Sequence, residues 1–266
     1  MPDDNGNGGN LLMDKRIGAQ YYTIRDFCKT LEDFDASCKK VSEIGYKTVQ
    51  LSAIGDFKPA DVKAVLDKYS LEAVCTHRSG DEYENRLDYS IEFHKTIGCK
   101  IAGLGAMPGF SADEENVKAF LEKYNLISEK LYENGLVFAY HNHHLEFERI
   151  GGKYVFDIIA ENTNPDKFKF ILDVYWLSYS GINPAKFIRK YKDRIACVHF
   201  KDIGIIDKNV EMFEVGFGNI DWDDVIAACE DANVEYALVE QDICRRDPFE
   251  SLKMSYDYLS GKGFCC

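Results

Sequence analysis

Short apolar, β-rich runs alternate with longer segments of helical spacing along the chain. Eight of these runs are predicted to be strands: Ile17–Gln20, Thr48–Leu51, Glu72–Thr76, Lys100–Leu104, Leu136–His141, Lys169–Asp173, Ile195–Phe200 and Glu235–Glu240. Between them, apolar residues recur at three- and four-residue steps, as at Phe34, Cys38 and Val41, which is typical of amphipathic helices. The pattern therefore predicts eight successive strand–helix units.

The predicted helices carry start and stop signals. Pro59 and Pro184 fall in expected first turns, and Ser111 with Glu114 is a candidate capping box. Three glycines come just after the last periodic residue of a helix and shortly before the next strand: Gly45, Gly98 and Gly135. A helix, a tight turn and a parallel strand are the expected arrangement for such a spacing.

Eight strand–helix units predict a (β/α)8 TIM barrel, which needs about 250 residues in one domain. An open doubly wound sheet would usually stop at about five or six strands. The turn after the first strand, Gly18-Ala19-Gln20-Tyr21-Tyr22-Thr23, also lacks the GxGxxG motif of dinucleotide-binding folds. We predict a single α/β barrel domain over residues 14–266. Residues 1–13, rich in Gly, Asn and Asp at their start, are predicted to be a disordered tail.

Composition limits the classes of partner and the compartment. The formal net charge of −13 argues against nucleic acid as a partner, because polyphosphate would be repelled. No apolar run approaches the roughly 20 residues of a membrane span, so no membrane partner is expected. The nine cysteines are mostly scattered singly with no CxxC pair, which favours reduced thiols in the cytoplasm.

Acidic residues and histidines follow the strands in the second half of the chain, and the carboxyl ends of barrel strands meet at one face. Asp173, His199 and Glu240 are candidate metal ligands at this face. The fourth ligand is open, since His141 ends the fifth strand and Glu146 lies five residues further along. We favour Glu146, because three carboxylates and one imidazole suit Mn, Mg, Co or Zn. A lone carboxylate or histidine at a strand end is more often structural, but four together favour a divalent metal site.

Other side chains near these strand ends are candidates for substrate contacts. They are His77, His141, His143 and Trp176. Lys201 shares a strand face with His199 and is a candidate catalytic residue that would protonate or steady substrate oxygens. Arg78, Arg245 and Arg246 could bind anionic groups, although solvated loop charges are the favoured interpretation.

Six motifs, in order along the chain, match those of one known family. They are Ile17-Gly18-Ala19-Gln20-Tyr21-Tyr22-Thr23-Ile24-Arg25-Asp26, Tyr140-His141-Asn142-His143-His144-Leu145-Glu146-Phe147, Leu172-Asp173-Val174-Tyr175-Trp176, His199-Phe200-Lys201-Asp202, Gly216-Phe217-Gly218-Asn219-Ile220-Asp221-Trp222 and Val239-Glu240-Gln241-Asp242. On these residues the chain resembles the xylose isomerase-like TIM-barrel superfamily of sugar isomerases and epimerases, from about Ile17 to Tyr258. Two positions differ from many relatives, which have Glu where this chain has His141 and Gln50.

The resemblance implies a divalent metal held by Glu146, Asp173, His199 and Glu240. It also implies a sugar or sugar derivative as substrate and proton abstraction next to a carbonyl, with the metal stabilising an enediolate. Glu240 and Glu146 would be the bases, and isomerisation, epimerisation or dehydration would follow from where the proton or a hydroxyl goes. Barrels of this type often pair, so a homo-oligomer is expected.

Two other classes remain as alternatives to a sugar isomerase or epimerase. An apurinic endonuclease would need more ligands and a basic groove, which six histidines and a net charge of −13 disfavour. A non-catalytic barrel that binds metal and sugar without turnover is the other alternative.

Overall fold

A closed barrel of eight parallel strands organises the computed structural model, which describes residues 17–263. We label the barrel strands β1 (Ile17–Gln20), β2 (Thr48–Ser52), β3 (Glu72–His77), β4 (Ile101–Leu104), β5 (Val137–His141), β6 (Phe168–Asp173), β7 (Ile195–Phe200) and β8 (Ala237–Val239). Each strand pairs in parallel with its neighbours in sequence, and β8 closes the barrel against β1. The predicted (β/α)8 fold and its eight strands are confirmed. The tail predicted over residues 1–13 lies outside the described residues.

Helices surround the barrel and connect its strands. They are α1 (Leu31–Ile44), α2 (Pro59–Lys68), α3 (Gly80–Asn85), α4 (Leu87–Ile97), α5 (Glu114–Glu133), α6 (Val155–Glu161), α7 (Val174–Tyr179), α8 (Pro184–Lys190), α9 (Trp222–Asp231) and α10 (Pro248–Gly261). Short 3-10 helices span Tyr21–Phe27, Leu145–Phe147 and Lys192–Arg194. Two antiparallel hairpins interrupt the repeat, one from Arg149–Ile150 and Lys153–Tyr154 and one from Asp202–Ile206 and Asn209–Phe213.

The predicted helix boundaries are partly confirmed. Pro59 and Pro184 are the first residues of α2 and α8, where a missing N–H costs no hydrogen bond. Gly98 ends α4 in the left-handed conformation, with φ of 77°. The capping box at Ser111 is wrong. Asp113 caps α5 instead, and its side chain accepts a hydrogen bond from the Asn116 amide at 2.8 Å.

The barrel interior is filled below the carboxyl ends of the strands. A separate cluster of buried residues from β3, β5, β6, β7 and β8 packs there: Val74, Cys75, Ala139, Ile171, Cys197 and Leu238. A larger buried core lies between the strands and the helices. The described cysteines are free thiols, and all but Cys244 are buried. Within residues 17–263, no helix has the length and apolar character needed to cross a membrane. The filled interior leaves the carboxyl ends of the strands as the place for polar chemistry.

Candidate metal centre

Four buried side chains from consecutive strands β5 to β8 converge at the carboxyl end of the barrel. One nitrogen or oxygen atom from each of His141, Asp173, His199 and Glu240 lies within 4.8 Å of the others. His199 Nδ1 is 3.0 Å from Glu240 Oε2 and 3.9 Å from Asp173 Oδ2. His141 Nε2 is 3.4 Å from Asp173 Oδ2. Ligands of one divalent ion, each about 2.0–2.2 Å from it, lie about 3.0–4.4 Å apart, so these spacings match a shared ion.

Each histidine of this group is oriented by a hydrogen bond on its far side. His141 Nδ1 donates to the carbonyl oxygen of Gly105 at 3.0 Å. His199 Nε2 donates to Gln50 Oε1 at 2.7 Å, since the Gln50 amide nitrogen faces the carbonyl of Thr76. In its neutral form, each imidazole therefore presents a lone pair on its other ring nitrogen.

Both lone pairs face carboxylate oxygens, which can only accept hydrogen bonds. A cation between nitrogen and oxygen makes such an arrangement favourable, whereas two lone pairs alone repel each other. An N–H bonded to a carbonyl on the far side of the ring is also the usual support of a metal-bound histidine. The residues present therefore fit a divalent cation, as do the mixed nitrogen and oxygen donors.

The buried charged side chains at the four converging residues carry a net negative charge. Lys201 Nζ lies 2.8 Å from Asp242 Oδ2, 3.5 Å from Asp173 Oδ2 and 3.6 Å from Glu240 Oε2. With neutral imidazoles, three carboxylates and one ammonium leave two negative charges in a largely water-free place. Because buried charges are costly unless they are paired, this excess is the charge that a divalent cation would balance.

The pKa values of these groups reflect the same pairing. Burial lowers the pKa of Lys201, but the carboxylates of Asp173, Glu240 and Asp242 outweigh burial and raise that pKa above its ordinary value. Burial raises the pKa of Glu240, but the nearby Lys201 ammonium opposes burial, and the pKa lies well below its usual range. Lys201 is therefore an ammonium and Glu240 a carboxylate at neutral pH.

Glu146 lies apart from the four converging side chains. Tyr140 donates its hydroxyl hydrogen to Glu146 Oε1, and the backbone amide of His143 donates to Oε2 at 2.7 Å. Both carboxylate oxygens thus serve buried donors of the chain itself, and the structure does not bring Glu146 to the group. His141 occupies the fifth-strand position there.

Substituting Glu146 and His141 one at a time distinguishes which of the two binds the metal. Glu146→Gln is expected to keep the metal content but to lower the free energy of unfolding by about 1–3 kcal/mol, since an amide cannot accept both hydrogen bonds. His141→Ala is expected to weaken metal binding by at least about a hundredfold, because removal of a ligand exceeds the cost of losing its support. Metal titration and chemical denaturation of both variants measure these effects. Metal lost from Glu146→Gln and retained by His141→Ala would reverse the assignment.

Three residues predicted to contact substrate also lie at this centre. The His77 ring is 5.1 Å from the ring of His141 and 5.4 Å from that of His199. His143 lies between His141 and Trp176, with ring centroids 4.7 Å and 5.3 Å away. His77 Nε2 and Trp176 Nε1 are buried without a hydrogen-bond partner among the described residues. Buried polar atoms are normally paired, so these two suggest contacts with a bound ligand.

Burial also keeps His77 and His143 neutral. Desolvation, with His141 and His199 nearby, lowers the pKa of His77 well below its ordinary value. Desolvation and His141 lower the pKa of His143 to about 3. Both rings are therefore neutral hydrogen-bonding groups at neutral pH, and their role in substrate binding stays a prediction.

Three further polar residues of the centre were not predicted to be metal ligands or bases. Gln20, at the end of β1, donates from Nε2 to Glu240 Oε1 at 2.6 Å. Gln50, at the end of β2, orients His199 as described above. Asp242 comes two residues after Glu240 and pairs with Lys201. Gln20 and Gln50 lie at carboxyl ends of strands, as Asp173 does, and therefore face the same site. Their amides are neutral, so the sequence did not mark them as candidate metal ligands.

The chain is similar to known proteins in both sequence and fold. Residues 38–253 match the sequence model of the family described as xylose isomerase-like TIM barrel. An inosose dehydratase from Lacticaseibacillus casei is 28% identical in an alignment of 268 positions, gaps included. The alignment covers 85% of this chain and 88% of the relative. A crystal structure of a sugar phosphate isomerase/epimerase from Parabacteroides distasonis has a TM-score of 0.79 and 21% identity, covering 100% of both chains. That of a D-allulose 3-epimerase from Methylomonas sp. has a TM-score of 0.73 and 12% identity, covering 94% of this chain and 98% of the other.

Proposed function

Because the chain belongs to the xylose isomerase-like TIM-barrel family, we propose that it is a metal-dependent enzyme that removes a proton next to the carbonyl group of a ketosugar or keto-cyclitol. The observation that carries the proposal is the convergence of two carboxylates and two oriented imidazoles on one point at the carboxyl face of the barrel. His141, Asp173, His199 and Glu240 would hold the ion. A bound divalent ion would supply Lewis acidity toward the substrate carbonyl and its neighbouring hydroxyl.

Lys201 supplies a fixed positive charge in this proposal. Its ammonium is buried between Asp173, Glu240 and Asp242 and stays protonated at neutral pH. A preorganised charge in a water-poor site stabilises negative charge that develops on a substrate oxygen more than it would in water. Lys201 therefore acts as an electrostatic group and does not accept the proton.

The base is proposed to be a carboxylate that follows β8. Glu240, predicted as the base, already accepts one hydrogen bond from Gln20 on Oε1 and faces His199 with Oε2. Burial and the neighbouring Glu240 raise the pKa of Asp242 despite Lys201, which brings it closer to the range of an effective base. We therefore add Asp242 to Glu240 as a base. Glu146 is less suited, because both of its oxygens serve the chain's own donors.

Asp242→Asn tests this addition. The variant is expected to slow proton exchange by about 10²–10⁴-fold while its metal content is unchanged, because Asp242 is not one of the four converging residues. Glu240→Gln, in contrast, should lose metal and exchange together. Full exchange activity in metal-loaded Asp242→Asn would remove Asp242 from the base role.

The fate of the substrate after proton removal distinguishes three reactions. Return of the proton to another carbon gives an isomer, return to the opposite face gives an epimer, and loss of a β-hydroxyl gives a dehydrated product. The similarity to an inosose dehydratase supports the third outcome. The first step is common to all three reactions, so the proposal is tested at that step.

Deuterium exchange measures the first step directly. The metal-loaded protein is incubated in D2O with inosose, D-allulose and D-fructose, and the carbon next to each carbonyl is followed by NMR. We expect metal-dependent exchange or conversion of at least one compound and none after chelation. If no ketosugar or keto-cyclitol in a broad panel exchanges in the metal-loaded protein, the proposed function is contradicted.

A further inference from the structure

Most of the groups that could bind an anion at the mouth of the barrel are already bound to carboxylates of the chain. We propose that the ketosugar or keto-cyclitol substrate carries no phosphate group. This inference rests on the proposed function and narrows its substrate class. It is carried by one buried carboxylate, three helix N-termini and a set of ion pairs.

A cluster of N–H groups after β7 surrounds the side chain of Asp202. TIM barrels frequently bind phosphate with the loops after the seventh and eighth strands. Here five N–H groups of that loop region donate to the carboxylate of Asp202: the amides of Ile203 at 2.8 Å, Gly216 at 2.9 Å, Gly218 at 3.0 Å and Ile220 at 3.2 Å, and Trp222 Nε1 at 2.7 Å. Asp202 is fully buried. The internal carboxylate therefore satisfies N–H groups of a loop region that binds phosphate in other TIM barrels.

The approach of this loop to Asp202 depends on a glycine. A Cβ atom added at Gly218 would lie 2.4 Å from Asp202 Oδ1, closer than any side chain permits. The Gly216-Phe217-Gly218 segment, interpreted above only as part of a motif, is thus shaped to close around a carboxylate. Because amides that already donate to an anion gain little from a second one, the loop offers no vacant anion site.

The N-termini of the first helices after β6, β7 and β8 are also capped by carboxylates. Asp173 accepts from the amides of Tyr175 and Trp176 at the start of α7. Asp221 and Asp247 do the same for α9 and α10. The positive end of each helix, which would attract phosphate in other barrels, is matched by an acidic side chain of the chain itself.

Four cationic side chains that follow the strands have acidic partners as well. The pairs are Lys201 with Asp242 at 2.8 Å, Arg246 with Glu214 at 3.0 Å, Arg245 with Glu211 at 3.7 Å, and Arg78 with Glu82. Arg78, Arg245 and Arg246 were candidate anion contacts in the sequence. Their pairing with carboxylates leaves little positive charge for a phosphate.

Arg25 is the strongest remaining place for an anion. Its Nη1 donates to the carbonyl oxygens of Tyr22 at 2.7 Å and Asp242 at 2.9 Å. Arg25 and Arg246 line a cavity of about 280 Å³, but the carboxylates of Asp26 and Asp242 line it too. Two guanidinium groups facing two carboxylates give no excess positive charge, and Arg25 therefore serves as the variant that tests the inference.

Matched pairs of sugars test the inference on the metal-loaded protein. D-Fructose is compared with D-fructose 6-phosphate, and D-xylulose with D-xylulose 5-phosphate, by titration calorimetry. We expect each phosphate form to bind at least about tenfold more weakly than its uncharged partner, or with no measurable heat. A phosphate form that binds as tightly as its partner or more tightly overturns the inference, and loss of that binding in Arg25→Ala would locate the phosphate.

The same samples separate this inference from the proposed function. Turnover is read by NMR after each titration, so failure to convert or exchange any sugar counts against the proposed function only. Discrimination against the phosphate group is measured by comparing the affinities of the two forms of each sugar, and it does not depend on turnover.

A second experiment tests the role of Asp202 itself. In chelator-treated protein, the thermal midpoint of the wild type should be the same in about 5 mM inorganic phosphate and in chloride of equal ionic strength, since phosphate this dilute adds little general stabilisation by exclusion from the protein surface. Asp202→Gly should unfold at a lower temperature and be stabilised by phosphate beyond the chloride control, since the emptied amides can then bind an external anion. Stabilisation of the wild type by phosphate, or a folded Asp202→Gly that phosphate does not stabilise, would contradict this account. If Asp202→Gly does not fold, the wild-type comparison and the calorimetry decide.

Discussion

Asp173→Asn is expected to lose most of the bound metal and at least about a thousandfold of the proton-exchange activity, or about 4 kcal/mol of transition-state stabilisation. Asp173 Oδ2 is the oxygen that lies near both imidazoles, 3.4 Å from His141 Nε2 and 3.9 Å from His199 Nδ1. An amide removes the negative charge from this position. Elemental analysis gives the metal content, and NMR in D2O gives the exchange rate.

The substitution is well matched, because Asp173 has a second, structural role that Asn can keep. Asp173 Oδ1 accepts from the amides of Tyr175 and Trp176 at the start of α7. Asn is also a good helix cap, so the fold should be retained. Asp221→Asn, at the start of α9, is the control and should keep both metal and activity. An Asp173→Asn variant with full metal content would contradict the ligand assignment.

Lys201→Met is expected to lower the free energy of unfolding of the metal-free protein by about 3–5 kcal/mol. Lys201 is buried, and removal of its ammonium leaves the carboxylates of Asp173, Glu240 and Asp242 without their cation. A divalent ion should then stabilise the variant more than it stabilises the wild type, because it is the remaining source of positive charge. Chemical denaturation with and without metal measures both effects.

Lys169→Met is the matched control for this prediction. Lys169 lies in β6, is half-buried, and donates from Nζ to the backbone carbonyl of Asp193. Its replacement should cost less than about 1 kcal/mol and should not change the effect of metal on stability. Equal costs for the two lysines, or a Lys201→Met variant no more responsive to metal than the wild type, would show that the central charges are not balanced as described.

The fold could be predicted from the chain because its periodicity is regular. All eight strands were located to within two residues, since apolar runs and glycine stops mark each unit. Local loop geometry was less predictable. Ser111 and Asp113 both precede α5, and only the backbone path determines that Asp113 provides the cap.

The site was predictable where strand ends determine position. Asp173, His199 and Glu240 follow from that rule, and the structure brings them together. Glu146 lies beyond the strand in a 3-10 helix, where periodicity no longer determines the direction of a side chain. The hydroxyl of Tyr140 and the amide of His143 hold Glu146 away from the four converging side chains, and these contacts do not follow from the donor preference of a metal ion.

The most direct test of the account is the position of a bound ion. Crystals of the protein are equilibrated with Zn²⁺ and anomalous diffraction is recorded at the zinc absorption edge. We expect one strong peak within about 2.3 Å of His141 Nε2, Asp173 Oδ2, His199 Nδ1 and Glu240 Oε2. A well-ordered barrel with no peak between these four side chains, or with its peak at Glu146, would contradict it.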